Sequence, residues 1–237
     1  MSMPESETAT RRRRRPRGSI SADEIVRGAY EIAREVSLDQ LSMSTLSERL
    51  GVGVTSIYWY FRKKEDLLHA MTEVAAANLA ERMPQFARSV PWPTMLHDYF
   101  TAYRRIHQED EVLSDLLLAR VSTYSRQTTT QVFLPVEAIV EHLTDAGFSP
   151  ELALQIFNTI STYTRGAIVY KRILGLNAAA ILDERRHRMA DWTVMPLLEG
   201  LVAAGHSLTG TTDDDFEFAL SCLISGFEQI LARNASA

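Results

Sequence analysis

Residues 50–68 read LGVGVTSIYWYFRKKEDLL. The run IYWYF favours a strand by intrinsic preference, yet both flanks read as helix. Upstream, SADEIVRGAYEIAREV (21–36) sets Ile25, Ala29, Ile32, Ala33 and Val36 at helical spacing. Ser21 followed by Glu24 is the start signal of a capping box. A second helix, MSTLSERL (43–50), puts Leu46 and Leu50 on one face behind a Ser42 cap. Gly51 ends it, because a residue without Cβ tolerates the left-handed conformation a helix terminator needs. A short third helix starts near Val54, with Ile57 and Phe61 facing inward together. Lys64 to about Arg82 is a longer fourth. Two short helices joined by a tight glycine turn have the spacing of a helix-turn-helix.

That spacing leaves Thr55, Ser56, Tyr58, Trp59 and Tyr60 facing away from the anchors Ile57 and Phe61. A helix this short has little stability of its own, so exposed rings on it need a reason. Duplex DNA supplies one. The second helix of such a motif enters the major groove, tyrosine hydroxyls donate to phosphate oxygens, and Lys64 stands near a helix N-terminus, where anions are favoured. The competing reading packs IYWYF into the core.

The segment LSMSTLSERLGVGVTSIYWYFRKKEDLLHAM (41–71) resembles the DNA-binding domain of the TetR family of transcriptional regulators, and the likeness extends over residues 21–72. Position by position, the resemblance implies DNA contacts at Ser44, Val54, Thr55, Ser56, Tyr58, Trp59, Tyr60 and Lys64. Many members have His where Tyr60 stands; a tyrosine reaches a phosphate but cannot become cationic. The resemblance also implies a ligand-responsive regulator, most often a repressor. Such a protein binds a near-palindromic double-stranded DNA operator as a homodimer and is released by a small-molecule effector.

The front of the third helix, Val54-Thr55-Ser56, has no Arg, Asn or Gln for bidentate base contacts, each worth about 1–3 kcal/mol of discrimination. Direct readout there is thin. Arg11, Arg12, Arg13, Arg14, Arg15 and Arg17 are expected to compensate by reaching an adjacent minor groove or phosphates. The alternative is a solvated, nonspecific basic tail. Charge is unevenly spread in the same sense. Residues 1–69 hold 12 Lys/Arg against 10 Asp/Glu, and residues 70–237 hold 13 against 20, so a net −5 divides into +2 and −7. The N-terminal end suits a polyanion that the remainder repels.

Hydrophobic residues make up 46% of the 237, which excludes wholesale disorder. No apolar run is long enough for a membrane helix. No h-region follows RRRRRPRG, so it is not read as a secretory signal. The single Cys222 forms no internal disulfide and fits a cytoplasmic setting.

The rest of the chain reads as helices at about 94–108, 112–121, 128–146, 150–174, 179–203 (interrupted near Pro196) and 213–233. Asp145-Ala146-Gly147 and Ser149-Pro150 supply stop and start chemistry. The expected fold is all-α. It comprises a disordered basic arm (1–19), a three-helix helix-turn-helix domain (20–66) and a larger helical effector-binding and dimerisation domain (67–237). In the last helix Phe216, Leu220, Leu223, Phe227 and Leu231 face the core. Ala219, Cys222, Gly226 and Gln229 form a second face of mostly small residues. With the apolar-rich helix 150–174, it suggests a four-helix bundle between two subunits, against burial of both helices within a monomer.

Trp92, Phe100, Tyr103, Phe133, Phe157 and Tyr163 are candidate linings for a bulky apolar or amphipathic ligand, each with core packing as its alternative. No cofactor or metal is expected. GVGVTS (51–56) lacks the third glycine and the preceding strand of a nucleotide loop. No Gly-x-Ser-x-Gly elbow occurs. Cys222 has no evident base, and no His pair has HExxH spacing, though His97-Asp98 with His107 or His142 could meet in space. The alternative function is a helical small-molecule binding protein or enzyme with an incidental helix-turn-helix.

Overall fold

The computed structural model describes residues 20–119, 124–176, 185, 187–206, 208 and 212–234. In chain order the helices among them are α1 (Ala22–Val36), α2 (Met43–Leu50), α3 (Val54–Tyr60), α4 (Lys64–Arg82) and α5 (Trp92–Glu109), then α6 (Glu111–Leu118), α7 (Arg126–Asp145), α8 (Pro150–Leu176), α9 (Pro196–Ala203) and α10 (Asp213–Asn234), with a 3-10 turn at Trp192–Val194. No strand occurs among the described residues, so the all-α expectation stands. Two compact units form, one within Met1–Asn78 and Glu111–Thr128, the other within Leu79–Asp110 and Thr129–Ala237.

In the first unit, the expected capping box at α1 is complete. Glu24 N–H donates to Ser21 Oγ (3.1 Å) and Ser21 N–H to Glu24 Oε2 (2.9 Å). Ser42 and Thr45 make the equivalent pair at α2. Gly51 takes the left-handed conformation at φ 66°, which turns the chain from α2 towards α3. Helix α1 packs on α2 at Gly28, where an added Cβ would lie 2.7 Å from Leu50 Cδ2. Ile25, Leu46, Ile57, Leu67 and Met71 are fully buried and make the core. Helix α6 joins this core against α1, burying Leu113 and Leu116. The compact units thus part within α4, between Asn78 and Leu79, and the described residues of 111–128, which are 111–119 and 124–128, belong with the N-terminal helices.

In the second unit, α5 is the central helix, with Met95, Leu96, Tyr99, Phe100 and Ile106 inside. Arg104–Asp213 (2.7 Å) and His97–Glu217 (2.6 Å) bind α10 to α5 in opposite directions. Lys171–Asp213 (3.4 Å) and the Tyr163–Phe216 stack do the same between α10 and α8. Helices α5 and α8 therefore run in parallel and α10 runs back against both. Gly147 at φ 108° closes α7, with Phe148 N–H on Leu143 O (3.2 Å) and Gly147 N–H on Thr144 O (3.0 Å), the hydrogen bonds of a glycine stop.

Several helix bounds differ from expectation: α6 ends at Leu118 rather than near 121, α7 opens at Arg126 rather than near 128, and α8 runs to Leu176 rather than about 174. Helix α5 begins at Trp92, with Pro93 in its first turn, where its missing N–H costs nothing. The stretch expected as one helix over 179–203 lies partly outside the described residues. Within them, Pro196 opens α9 rather than interrupting a longer helix.

Candidate nucleic-acid interface and effector region

Helix α3 is only seven residues long, and Ile57 is its one fully buried side chain. Phe61, 8% exposed, anchors its far end. With those two residues inside, Thr55, Tyr58 and Trp59 are exposed, Trp59 by 78% and Tyr58 by 46%. Trp59 stands edge-on to Tyr60, centroids 4.7 Å apart, which orients the indole without covering it. Val54 and Ser56 are half-buried at the front of the helix, and Ser44 is exposed on α2. The structure therefore places Ser44, Thr55, Tyr58 and Trp59 on exposed surface of the helix-turn-helix.

Tyr60 and Lys64 differ from this set. The Tyr60 hydroxyl donates to Ile20 O (2.7 Å), tying the end of α3 to the residue before the Ser21 cap of α1. The Lys64 ammonium donates to Leu38 O (2.9 Å) and Asp39 O (3.1 Å), closing the α1–α2 connection. Both side chains hold α3 against its neighbours. The first turn of α4 also carries Glu65 and Asp66, and Asp66 already accepts from Lys63 N–H (3.2 Å), so that turn is less open to an anion than its position suggests. The exposed cations after α3 are instead Arg62 and Lys63. The signal for them was the RKK run itself. The spacing could not say which of the three cations turns inward. Arg11 to Arg15 and Arg17 lie outside the described residues.

In the second unit, Phe100 and Phe157 lie 5.7 Å apart by ring centroid across α5 and α8, with Tyr99 against both. Tyr103 covers the His107 imidazole at 4.5 Å. Tyr163 stacks on Phe216 at 5.7 Å, and the Arg104 guanidinium lies 4.5 Å over that same ring. Phe100, Tyr103, Phe157 and Tyr163 thus line one α5–α8–α10 layer. Trp92 and Phe133 are separate from it. Trp92 meets Phe148 edge-on at 5.2 Å, and Phe133 is 61% exposed on α7.

Electrostatics within this unit are uneven. Hydrogen bonding from Arg104, reinforced by its charge and that of Lys171, holds the Asp213 carboxyl below the usual aspartate range. Hydrogen bonds to Asp98 and Glu217 hold the His97 imidazole above its ordinary value against partial burial. Burial, aided by Arg165 and Arg82, pushes His107 down to about 4. The three histidines that could have met around a metal do not do so: His97 pairs with carboxylates, His142 bonds Val90 O (2.8 Å), and His107 stands on Tyr103. Arg104 and Thr164 were absent from the sequence candidates, and His107 entered only as one histidine of a possible metal group. No periodicity distinguishes a buried polar residue from one facing water.

Residues 25–71 match the N-terminal domain described as "Bacterial regulatory proteins, tetR family", and residues 104–231 match "Tetracyclin repressor-like, C-terminal domain". The chain belongs to the TetR family. An HTH-type transcriptional repressor of Mycobacterium tuberculosis is 35% identical over 97% of this chain and 88% of the relative. The class G tetracycline repressor protein of Vibrio anguillarum is 29% identical over 88% of this chain and 93% of its own. Among solved structures, the TetR family protein ActR of Streptomyces coelicolor, in complex with actinorhodin, shares the fold with a TM-score of 0.65 at 22% identity, covering 88% of this chain and 97% of that one. The family and these relatives are transcriptional regulators. No helix among the described residues is long and apolar enough to cross a membrane.

Proposed function

We propose that this TetR-family protein is a repressor that binds a near-palindromic operator as a homodimer and is released by a small-molecule effector. The observation that carries the DNA reading is the exposure of Tyr58 and Trp59 on a helix anchored from beneath by Ile57 and Phe61. Large rings kept in water on a seven-residue helix are costly unless a partner covers them. Residues 20–66 form the DNA-binding domain in this reading. Ser44, Val54, Thr55, Ser56, Tyr58 and Trp59 face the groove and its phosphates, with Arg62 and Lys63 as added cations. Tyr60 and Lys64 fix the angle of α3; Lys64 keeps one N–H for a phosphate, whereas Tyr60 reaches one only by giving up its bond to Ile20 O. Arg11 to Arg17 reach an adjacent minor groove and supply affinity that Val54-Thr55-Ser56 lacks.

Dimerisation uses α8 and α10. Cys222, Gly226 and Gln229 are exposed along α10, and Leu154, Tyr170 and Ile173 along α8, surfaces that suit close helix approach by a second copy. The effector enters the aromatic layer of α5, α8 and α10, as a bulky apolar or amphipathic molecule. ActR, a neighbour in fold, was solved with a small molecule bound. An effector releases DNA only to the extent that it binds the non-binding conformation better.

Selection from a random duplex pool tests the proposal. A palindromic consensus is the expected result, since two copies of α3 related by a twofold axis read two half-sites. An unenriched pool overturns it. Removing residues 1–17 is expected to flatten the slope of log K against log salt by roughly 0.9 for each phosphate the arm had neutralised; an unchanged slope removes the arm from the interface.

A further inference from the structure

We infer that the α5–α8 seam of the second unit holds a polar niche, His107 with Thr164, that takes an uncharged hydroxyl group, a phenol or alcohol, on an otherwise apolar effector. The inference rests on the proposal that this unit binds an effector. Both ring nitrogens of His107 and the Oγ1 of Thr164 are buried without a hydrogen-bond partner among the described residues, at 2% and 0% residue exposure. Buried polar atoms left unpaired cost free energy, so such groups in a native structure call for an explanation.

The two residues address the same seam. Phe100 and Phe157 meet across α5 and α8. His107 lies seven residues beyond Phe100 and Thr164 seven beyond Phe157, and seven residues return a helix to nearly the same face two turns on. Since α5 and α8 run in parallel, His107 and Thr164 arrive at one level on facing sides.

Other residues of the same types behave differently. Thr72, Thr144 and Thr159 each donate to the carbonyl four residues back, at 2.8, 2.8 and 2.7 Å. Thr164 makes no such bond. His97 and His142 both use ring nitrogens on oxygen partners. His107 does not.

The chemistry of the occupant follows. Burial keeps His107 neutral at pH 7, so one nitrogen donates and the other accepts. The Thr164 hydroxyl does either. A hydroxyl on the effector also does both, so it pairs with the imidazole nitrogen that faces it, whichever tautomer that is, and with Thr164 Oγ1; the other ring nitrogen points away and is not reached. A carboxylate only accepts, so it pairs only with a protonated nitrogen, and it brings a charge into an apolar seam. Tyr103 over the imidazole, with Phe100 and Phe157 two turns away, suits an aromatic body behind the hydroxyl.

Phenol, toluene and benzoate, of similar shape and different polarity, are the probes, titrated calorimetrically into the full chain. Phenol is expected to bind about tenfold more tightly than the other two, the worth of one or two net hydrogen bonds. In Thr164→Val and His107→Phe that preference should shrink to about twofold or less. Without probe, Thr164→Val should keep or raise the melting temperature, because it removes an unpaired hydroxyl at nearly constant volume. Equal binding of phenol and toluene, a preference that survives both substitutions, failure of phenol to bind, or a lower melting temperature in Thr164→Val overturns the niche. Operator binding by the probe-free protein reads the regulator proposal separately. Absence of discrimination with operator binding intact overturns the niche alone.

Discussion

Aromatic residues do opposite work in the two compact units. On α3, Tyr58 and Trp59 sit in water over a single buried isoleucine. In the second unit, Tyr99, Phe100 and Phe157 are buried against one another. An exposed ring on a minimal helix has no packing explanation and points outward to a partner. A buried ring is explained by the core it completes, whatever else it does. The first kind of site can be identified from its aromatics. The second has to be identified from its polar residues.

The largest expected effect tests the anchor beneath the exposed rings. Ile57 is fully buried and is the one such side chain of α3. Ile57→Ala is expected to cost about 2–5 kcal/mol, read by urea unfolding, and to remove operator binding even where the protein remains folded. Operator affinity that survives a full destabilisation of this magnitude would mean α3 is not the reading helix.

The next effect belongs to the buried unit and sets two histidines of α5 against each other. The folded value of His107 is near 4, below the ordinary 6.5. Between those limits the unfolded chain binds the extra proton, so stability falls as pH drops from about 6.5 towards 4, by on the order of 3 kcal/mol. The groups acting on it are Arg165 and Arg82, which depress it, and Asp110, which opposes them. His97 is raised, so its contribution is full below 6.5 and is lost as pH rises through its higher folded value. Urea unfolding across pH, with His107→Phe and His97→Gln, separates the two. His107→Phe should flatten the acid limb, and His97→Gln should change only the limb above 6.5. An acid limb untouched by His107→Phe would show that the imidazole is not held neutral.

How much was legible in the sequence follows from the same contrast. Capping at Ser21 and Ser42, the stop at Gly51 and the burial of Ile57 and Phe61 are local signals, written within a few residues of where they act. They are enough to specify the helix-turn-helix. The inward turn of Lys64 depends on the carbonyls of Leu38 and Asp39, more than twenty residues away, and nothing in RKK encodes it. The packing of α6 on α1, and that of α5 on α8, are likewise long-range. Periodicity recovers which face of a helix is apolar; it does not say which other helix that face meets.

A smaller effect isolates the exposed rings themselves. Trp59→Ala removes a side chain that is 78% exposed, so folding stability should stay within about 0.5 kcal/mol of the parent. Operator affinity should fall by roughly tenfold, about 1.4 kcal/mol, because the indole no longer lies against backbone and sugar. Fluorescence anisotropy on a labelled operator measures it. Unchanged affinity would leave Trp59 as a bystander and reduce the contrast between the units to Tyr58.

The smallest effect asks whether the DNA-binding unit acts as a fixed scaffold. Ser37, at the end of α1, holds φ 92° and ψ 160°, a region that glycine occupies and side chains resist. Its side chain is exposed, and its N–H is already bonded to Ala33 O (3.0 Å), so nothing in its surroundings requires serine. Ser37→Gly relieves the strain but adds freedom to the unfolded chain, and the balance is expected to favour folding by about 0.5–1 kcal/mol. That is a rise of a few degrees in melting temperature. Operator affinity should not follow it, because Ile57 and Tyr60 position α3 independently of this turn, and the Leu38 and Asp39 carbonyls that hold Lys64 are expected to keep their places when Ser37 loses its side chain. A stabilised variant with weakened operator binding would show instead that the angle of α3 depends on slack at the end of α1, and that the exposed rings work on a movable support.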